Sequence, residues 1–129
     1  MVAVGVGGAA GTVARYLVIG TLFREHAPFG TLIVNVVGSF LLGFLVPTVI
    51  ERSDISLARR ALLTAGFCGG FTTFSTFSYD ASVLLRAGDV RGAAWYVTGT
   101  VVVSIGGAVA GMLIGTAQRK AALAKRERS

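Results

Sequence analysis

The sequence predicts an all-α integral membrane protein with four transmembrane helices, and three observations carry that prediction. Of 129 residues, 53% are hydrophobic and only 14% are charged, against about 25% charge in a soluble domain. The mean hydropathy is +0.74. The charges are also clustered, which leaves long stretches with almost none. A helix needs about 20 mostly apolar residues to cross the roughly 30 Å hydrocarbon core of a bilayer. Four such segments fit, at about 2–23, 29–50, 57–85 and 92–117, with a basic tail at 118–129. They use most of the chain and leave no room for a separate soluble domain, so residues 1–129 read as one membrane domain.

Two other readings fail on context. GVGGAA at residues 5–10 matches the dinucleotide pattern G-x-G-x-x-G/A, with Glu25 about 20 residues on, but that fingerprint needs a preceding strand and a βαβ unit. Only four residues precede Gly5. The first segment is not a secretory leader either, because it lacks a basic n-region and exceeds an h-region in length. One cysteine and one histidine supply neither a disulfide framework nor a metal site of their own. Cys68 reads as a small buried residue and His26 as a loop residue.

The net charge of +6 points to a lipid surface and away from nucleic acid, because of where the charges sit. Arg119, Lys120, Lys125, Arg126 and Arg128 crowd into the tail, next to the last span. A basic run in that place reads as a cytoplasmic anchor at anionic lipid. With both termini on one side, that side holds eight basic residues, Arg52, Arg59 and Arg60 among them. The other holds Arg24, Arg86 and Arg91. The positive-inside rule then places both termini in the cytoplasm. Without the tail the balance is three against three, so the bundle itself writes its orientation weakly.

Each span carries more than grease. In the first, Gly7 and Gly11 form a small-xxx-small pair, a device that lets helix backbones approach in lipid; Ser39 and Gly43 repeat it in the second span, and Gly107, Gly111 and Gly115 in the fourth. These predict a tight bundle or oligomer. Arg15 lies some 20 Å along the first helix. Three readings stand for it: snorkelling to the far interface, pairing with Asp80 of the third segment, or serving a wet vestibule. Thr31, Asn35 and Ser39 recur at i, i+4, i+8 on one face of the second helix, and Tyr96, Thr100 and Ser104 do so on the fourth. Single Ser and Thr residues commonly bond back to their own helix. The Asn35 amide must find partners or remain costly in hydrocarbon, and interhelical bonding is the plain alternative to a functional role.

The third segment is the unusual one. GFCGGFTTFSTF at 66–77 is too rich in Gly and Thr for a comfortable helix, and the segment is longer than one crossing needs. A break near 69–73 frees carbonyls in mid-membrane, tolerated where protein buries them or where they line a cavity or bind an ion. Phe71, Phe74 and Phe77 follow at intervals of three. A phenylalanine ring edge carries positive potential, so inward-facing edges beside hydroxyls offer an anion weak partners in place of water, as a pore requires.

GTLIVNVVGSFLLGF followed by GFCGGFTTFSTFS closely resembles the Fluc (CrcB) fluoride channels, and GGAAGTVARY of the first helix matches as well. The resemblance covers the four spans. It implies a fluoride-selective channel, not an enzyme, that exports toxic fluoride passively through the cell (inner) membrane. It also implies an antiparallel, dual-topology dimer with two pores, made of two copies of the chain or of the chain and a paired homologue. The tail's charge excess argues for the pair, and the balanced bundle for the homodimer, which we favour. The family's pore residues fall on Asn35, Phe74 and Phe77. Its hydroxyl track falls on Tyr96, Thr100 and Ser104, donating hydrogen bonds to fluoride, with Arg15 as a vestibule cation and Thr31, Ser39 and Asp80 in support. A structural sodium at the dimer centre falls on the main-chain carbonyls of Gly69 and Thr72.

Two readings from other classes compete. A small multidrug-resistance-type proton-coupled exporter also has four helices, but it needs an acid in its first helix, where this chain has Arg15. A non-transporting membrane scaffold would use the polar stripes only as interhelical glue.

Overall fold

The computed structural model describes residues 1–24 and 26–127, with only the backbone at Ala27, Arg126 and Glu127. Glu25 and the tail residue Arg128 lie outside the described residues. Every regular element among the described residues is helical. Helix α1 (Val2–Leu17) runs on through a wider π-type turn at Val18–Leu22. Helix α2 (Ala27–Leu45) does the same through Val46–Ile50. Pro28 opens α2 where its missing N–H costs nothing. Pro47 sits in the widened turn, where the regular i to i−4 ladder cannot continue.

Helix α3 (Leu57–Ala61) is capped by Ser56, whose Oγ accepts from the Arg59 N–H at 3.4 Å. It passes through a π-type turn at Leu62–Cys68 into the short α4 (Gly69–Phe71). The helix then stops. Thr72 (φ −76°, ψ 159°) and Thr73 (φ −148°, ψ 121°) are extended, and α5 (Phe74–Arg86) begins immediately after them. At its far end the Gly88 N–H reaches the Leu85 carbonyl and the Asp89 N–H the Leu84 carbonyl, both at 3.0 Å. That pattern needs a left-handed residue, and Gly88 supplies it at φ +79°. Asp89 in turn accepts the Gly92 N–H at 2.8 Å, so α6 (Val90–Glu127) starts at once.

Three helices, Val2–Leu22, Pro28–Ile50 and Val90–Lys125, are long and apolar enough to cross a membrane. The interrupted stretch 57–86 is not among them, since neither half reaches the length of a crossing. Helix α6 has 38 residues, about 57 Å at 1.5 Å per residue. The span expected at 92–117 therefore continues as helix through the tail to Glu127. The tail residues Ala, Lys, Arg, Gln and Leu are strong helix formers, and Arg119 pairs with Glu51 at the end of α2.

Glycine governs the packing. A Cβ built on Gly7 would overlap the Leu62 carbonyl oxygen, and one on Gly11 the Phe67 carbonyl oxygen. On the other side of the bundle, Gly43 lies against the Ala108 carbonyl and Gly111 against that of Phe40. The small-residue spacing therefore works within one chain: α1 packs on the 62–71 stretch and α2 on α6. These two contacts bring the interruption at 72–73 between α1 and α2, with α6 on its far side.

Candidate functional site

The carbonyls that a helix end exposes have no partners within the helix, and the ends at 72–73 are met by side chains from both flanking helices. Asn35 of α2 closes a two-point clamp: its Nδ2 donates to the Thr73 carbonyl at 3.0 Å, and the Thr73 N–H donates to its Oδ1 at 2.8 Å. From α1, Arg15 Nη1 donates to the Thr72 carbonyl at 3.1 Å. Thr72 ties back locally, its N–H and its Oγ1 both donating to the Cys68 carbonyl at 2.9 Å. Thr73 caps α5, its Oγ1 accepting from the Thr76 N–H at 3.1 Å.

Asp80, 6% exposed, is occupied from two sides. Its Oδ2 accepts from Thr31 Oγ1 at 2.7 Å and from the Tyr96 hydroxyl at 3.2 Å. Arg15 and Asp80, weighed as an ion pair, are thus engaged separately. The Tyr96 hydroxyl thus donates to the Asp80 carboxyl.

Thr100 and Ser104 differ from Thr31, Asn35 and Tyr96, whose polar groups are hydrogen-bonded. Thr100 is 4% exposed, and neither Thr100 Oγ1 nor Ser104 Oγ has a hydrogen-bond partner. Neither bonds back to its own helix, the common resolution for Ser and Thr. Both line a cavity of about 520 Å³, together with Asn35, Ser39, Phe74 and Phe77. A buried hydroxyl left without a partner costs about 1–3 kcal/mol. Two of them, one turn apart on residues that border one cavity, are donors without an acceptor.

The phenylalanines divide at the interruption. Phe71 is buried and stacks on Phe67, centroids 5.9 Å apart at 6°. Phe74 lies beyond the break and is 79% exposed. It tilts against Phe77 (5.7 Å, 41°), which in turn tilts against Tyr96 (5.5 Å, 34°). The cavity so formed is a groove on the flank of the bundle, bordered by Phe74 and Phe77 of α5 and by Thr100 and Ser104 of α6.

Gly69 and Thr72 also border this groove. Gly69 is exposed, and a Cβ built on it would meet nothing within 4 Å. Neutral carbonyl oxygens suit a hard cation, and no cluster of three His, Cys, Asp or Glu exists among the described residues to hold one otherwise. Two oxygens from one chain are half a shell at most, and the Thr72 oxygen already accepts from a guanidinium. The residues fit a sodium ion only as half of a site that a second copy would complete.

The family model described as CrcB-like protein, Camphor Resistance (CrcB), matches residues 2–112. The chain belongs to the CrcB family. Among its curated relatives are proteins named fluoride-specific ion channel FluC. That of Nitrobacter winogradskyi is 44% identical over 117 residues, covering 88% of this chain and 93% of that protein. That of Agrobacterium fabrum is 46% identical over 115 residues, with 87% and 92% covered. That of Chlorobaculum tepidum is 46% identical over 119 residues, with 88% of each covered. Family membership and the apolar helices make the chain a multi-pass membrane protein. The CrcB match includes every residue of the groove and stops short of the basic extension of α6.

Sequence reasoning passed over Thr73, which both caps α5 and receives the Asn35 clamp. The available signal was residue type alone: Thr is a favoured helix N-cap. The Thr31–Asp80–Tyr96 cluster left no comparable trace, because spacing along a helix shows a shared face and not which groups meet across it.

Proposed function

We propose that the chain is a fluoride channel that lowers cytoplasmic fluoride by passive export across the cell membrane. The observation that carries this reading is the pair of buried, unpartnered hydroxyls of Thr100 and Ser104, residues that border one cavity together with Phe74 and Phe77. It is supported by membership of a family whose relatives are named fluoride-specific channels.

The stretch 57–86 serves as the fourth crossing, broken at mid-membrane by Thr72 and Thr73. The groove is open along one side, so an antiparallel second copy completes the wall and makes a dual-topology dimer with two pathways. At the centre of that dimer, the Gly69 and Thr72 carbonyls of both copies would hold the structural sodium, whose part is to join the two breaks.

Fluoride leaves a wet vestibule past Asn35, which has one amide N–H beyond the clamp. It then exchanges water for the ring edges of Phe74 and Phe77 and for hydrogen bonds from Thr100 and Ser104. Tyr96 borders this path as a wall, its hydroxyl donating a hydrogen bond to Asp80. Chloride is larger and a poorer acceptor, so a narrow path with fixed donors excludes it. A proton-coupled drug exporter would need a carboxylate open to its cargo. Asp80 is buried beneath two hydrogen bonds, so its arrangement does not favour that alternative.

Phe74→Ile and Phe77→Ile should each lower fluoride efflux about tenfold, the weight of ~1.4 kcal/mol in a barrier, without unfolding the protein. A fluoride electrode in proteoliposomes measures this. Unchanged flux in both variants removes the ring-edge contact from the mechanism.

A further inference from the structure

Arg15 is half-buried on α1, and its contact is with backbone. It lies on α1 one turn beyond Gly11, whose close approach brings the two backbones together: a Cβ on Gly11 would stand 2.8 Å from the Phe71 N and 3.1 Å from the Gly70 carbonyl carbon. At that point the long arm of Arg15, half-buried, reaches the Thr72 carbonyl at 3.1 Å. Thr12, on the adjoining turn, directs its Oγ1 towards the Gly70 carbonyl at 3.5 Å. On the opposite side Asn35 takes both backbone groups of Thr73.

We infer that Arg15 is a positioning residue: it acts on the pathway by holding the broken helix end through the Thr72 carbonyl, and not by lending its charge to a vestibule. Three facts combine in this. Thr72 and Thr73 are extended and interrupt the helix, and the Thr72 carbonyl and both backbone groups of Thr73 are held by side chains of α1 and α2. The first ring of the groove, Phe74, follows directly and is 79% exposed, so little else fixes its direction. The hold from α1 and the clamp from α2 act on adjacent residues from opposite sides, and together they set the angle at which α5 departs. Loss of either lets α5 swing and carries both Phe74 and Phe77 with it. A charged donor also suits the end of a helix, where carbonyls gather partial negative charge.

This inference rests on the reading of the groove as a fluoride path, and the experiment separates the two. Arg15→Met keeps length and packing while removing the donor. Its fluoride and chloride efflux should be measured in proteoliposomes at ~0.01 M and at ~1 M impermeant salt, where the Debye length falls from about 30 Å to about 3 Å. Amide exchange at 72–76 should be followed in parallel. A positioning residue predicts a fluoride-over-chloride ratio reduced about tenfold at both ionic strengths, with faster exchange at 72–76.

A deficit that disappears at ~1 M salt with unchanged exchange would show a vestibule charge and overturn the inference. Lower total flux with an unchanged ratio would show a role in stability alone and overturn it equally. If Arg15→Met does not fold, Arg15→Lys keeps the charge but not the reach of the fork, and wild-type ratio and exchange in that variant would refute the hold. Should the wild type carry no fluoride, the channel reading fails, while exchange at 72–76 still tests Arg15.

Discussion

The double variant Thr100→Val with Ser104→Ala should lose fluoride efflux by about a hundredfold or more while melting at the same temperature as the wild type or higher. The two halves of that expectation have one cause. A hydrogen bond to a charged partner is worth about 1.5–3 kcal/mol, and each 1.4 kcal/mol of barrier is about tenfold in rate. Losing both donors therefore raises the barrier by enough for about a hundredfold at the lower bound. In the protein without its anion, however, these hydroxyls have no partners. Replacing them with apolar groups of similar shape removes a desolvation cost and adds none. A residue kept for stability would behave in the opposite way. Efflux from proteoliposomes and a thermal melt in detergent check the two halves separately.

A second large effect is expected at Asn35. Asn35→Leu removes both arms of the clamp on Thr73 and leaves its N–H and carbonyl without partners in a low-dielectric setting. At about 1–3 kcal/mol for each orphaned group, the variant should lose roughly 2–6 kcal/mol of stability along with its flux. Asn35→Asp should restore only part of this, because a carboxylate accepts the Thr73 N–H but sets an oxygen against the Thr73 carbonyl. Thermal melts, with amide exchange at Thr73 as the local reporter, measure the effect. An Asn35→Leu protein as stable as the wild type would show that the clamp holds nothing.

Much of the bundle is legible in the sequence because hydropathy and glycine spacing answer to the bilayer directly. Three apolar segments of the expected kind appear as long helices, and Gly7, Gly11 and Gly111 lie where backbones touch. The helical tail was less legible, since a positive-inside count weighs charge and ignores that Ala, Leu, Lys and Arg all favour continued helix. The site was legible as faces and not as contacts. Thr31, Asn35 and Ser39 share a side of α2, yet one meets Asp80, one meets Thr73 and one borders the groove. Spacing made Tyr96, Thr100 and Ser104 equals, and only three-dimensional contact shows that Tyr96 is engaged while the other two are not. In the same way Phe71, Phe74 and Phe77 form a single series in sequence. Two extended threonines place the first in the core and the other two on the groove.

The central claim is that free hydroxyls and ring edges in a narrow groove pass fluoride and refuse chloride. Efflux of the two anions from proteoliposomes containing the wild-type protein, measured side by side with fluoride- and chloride-sensitive electrodes, tests it most directly. Rapid release of fluoride with chloride retained is the predicted result; release of both at the same rate would contradict it.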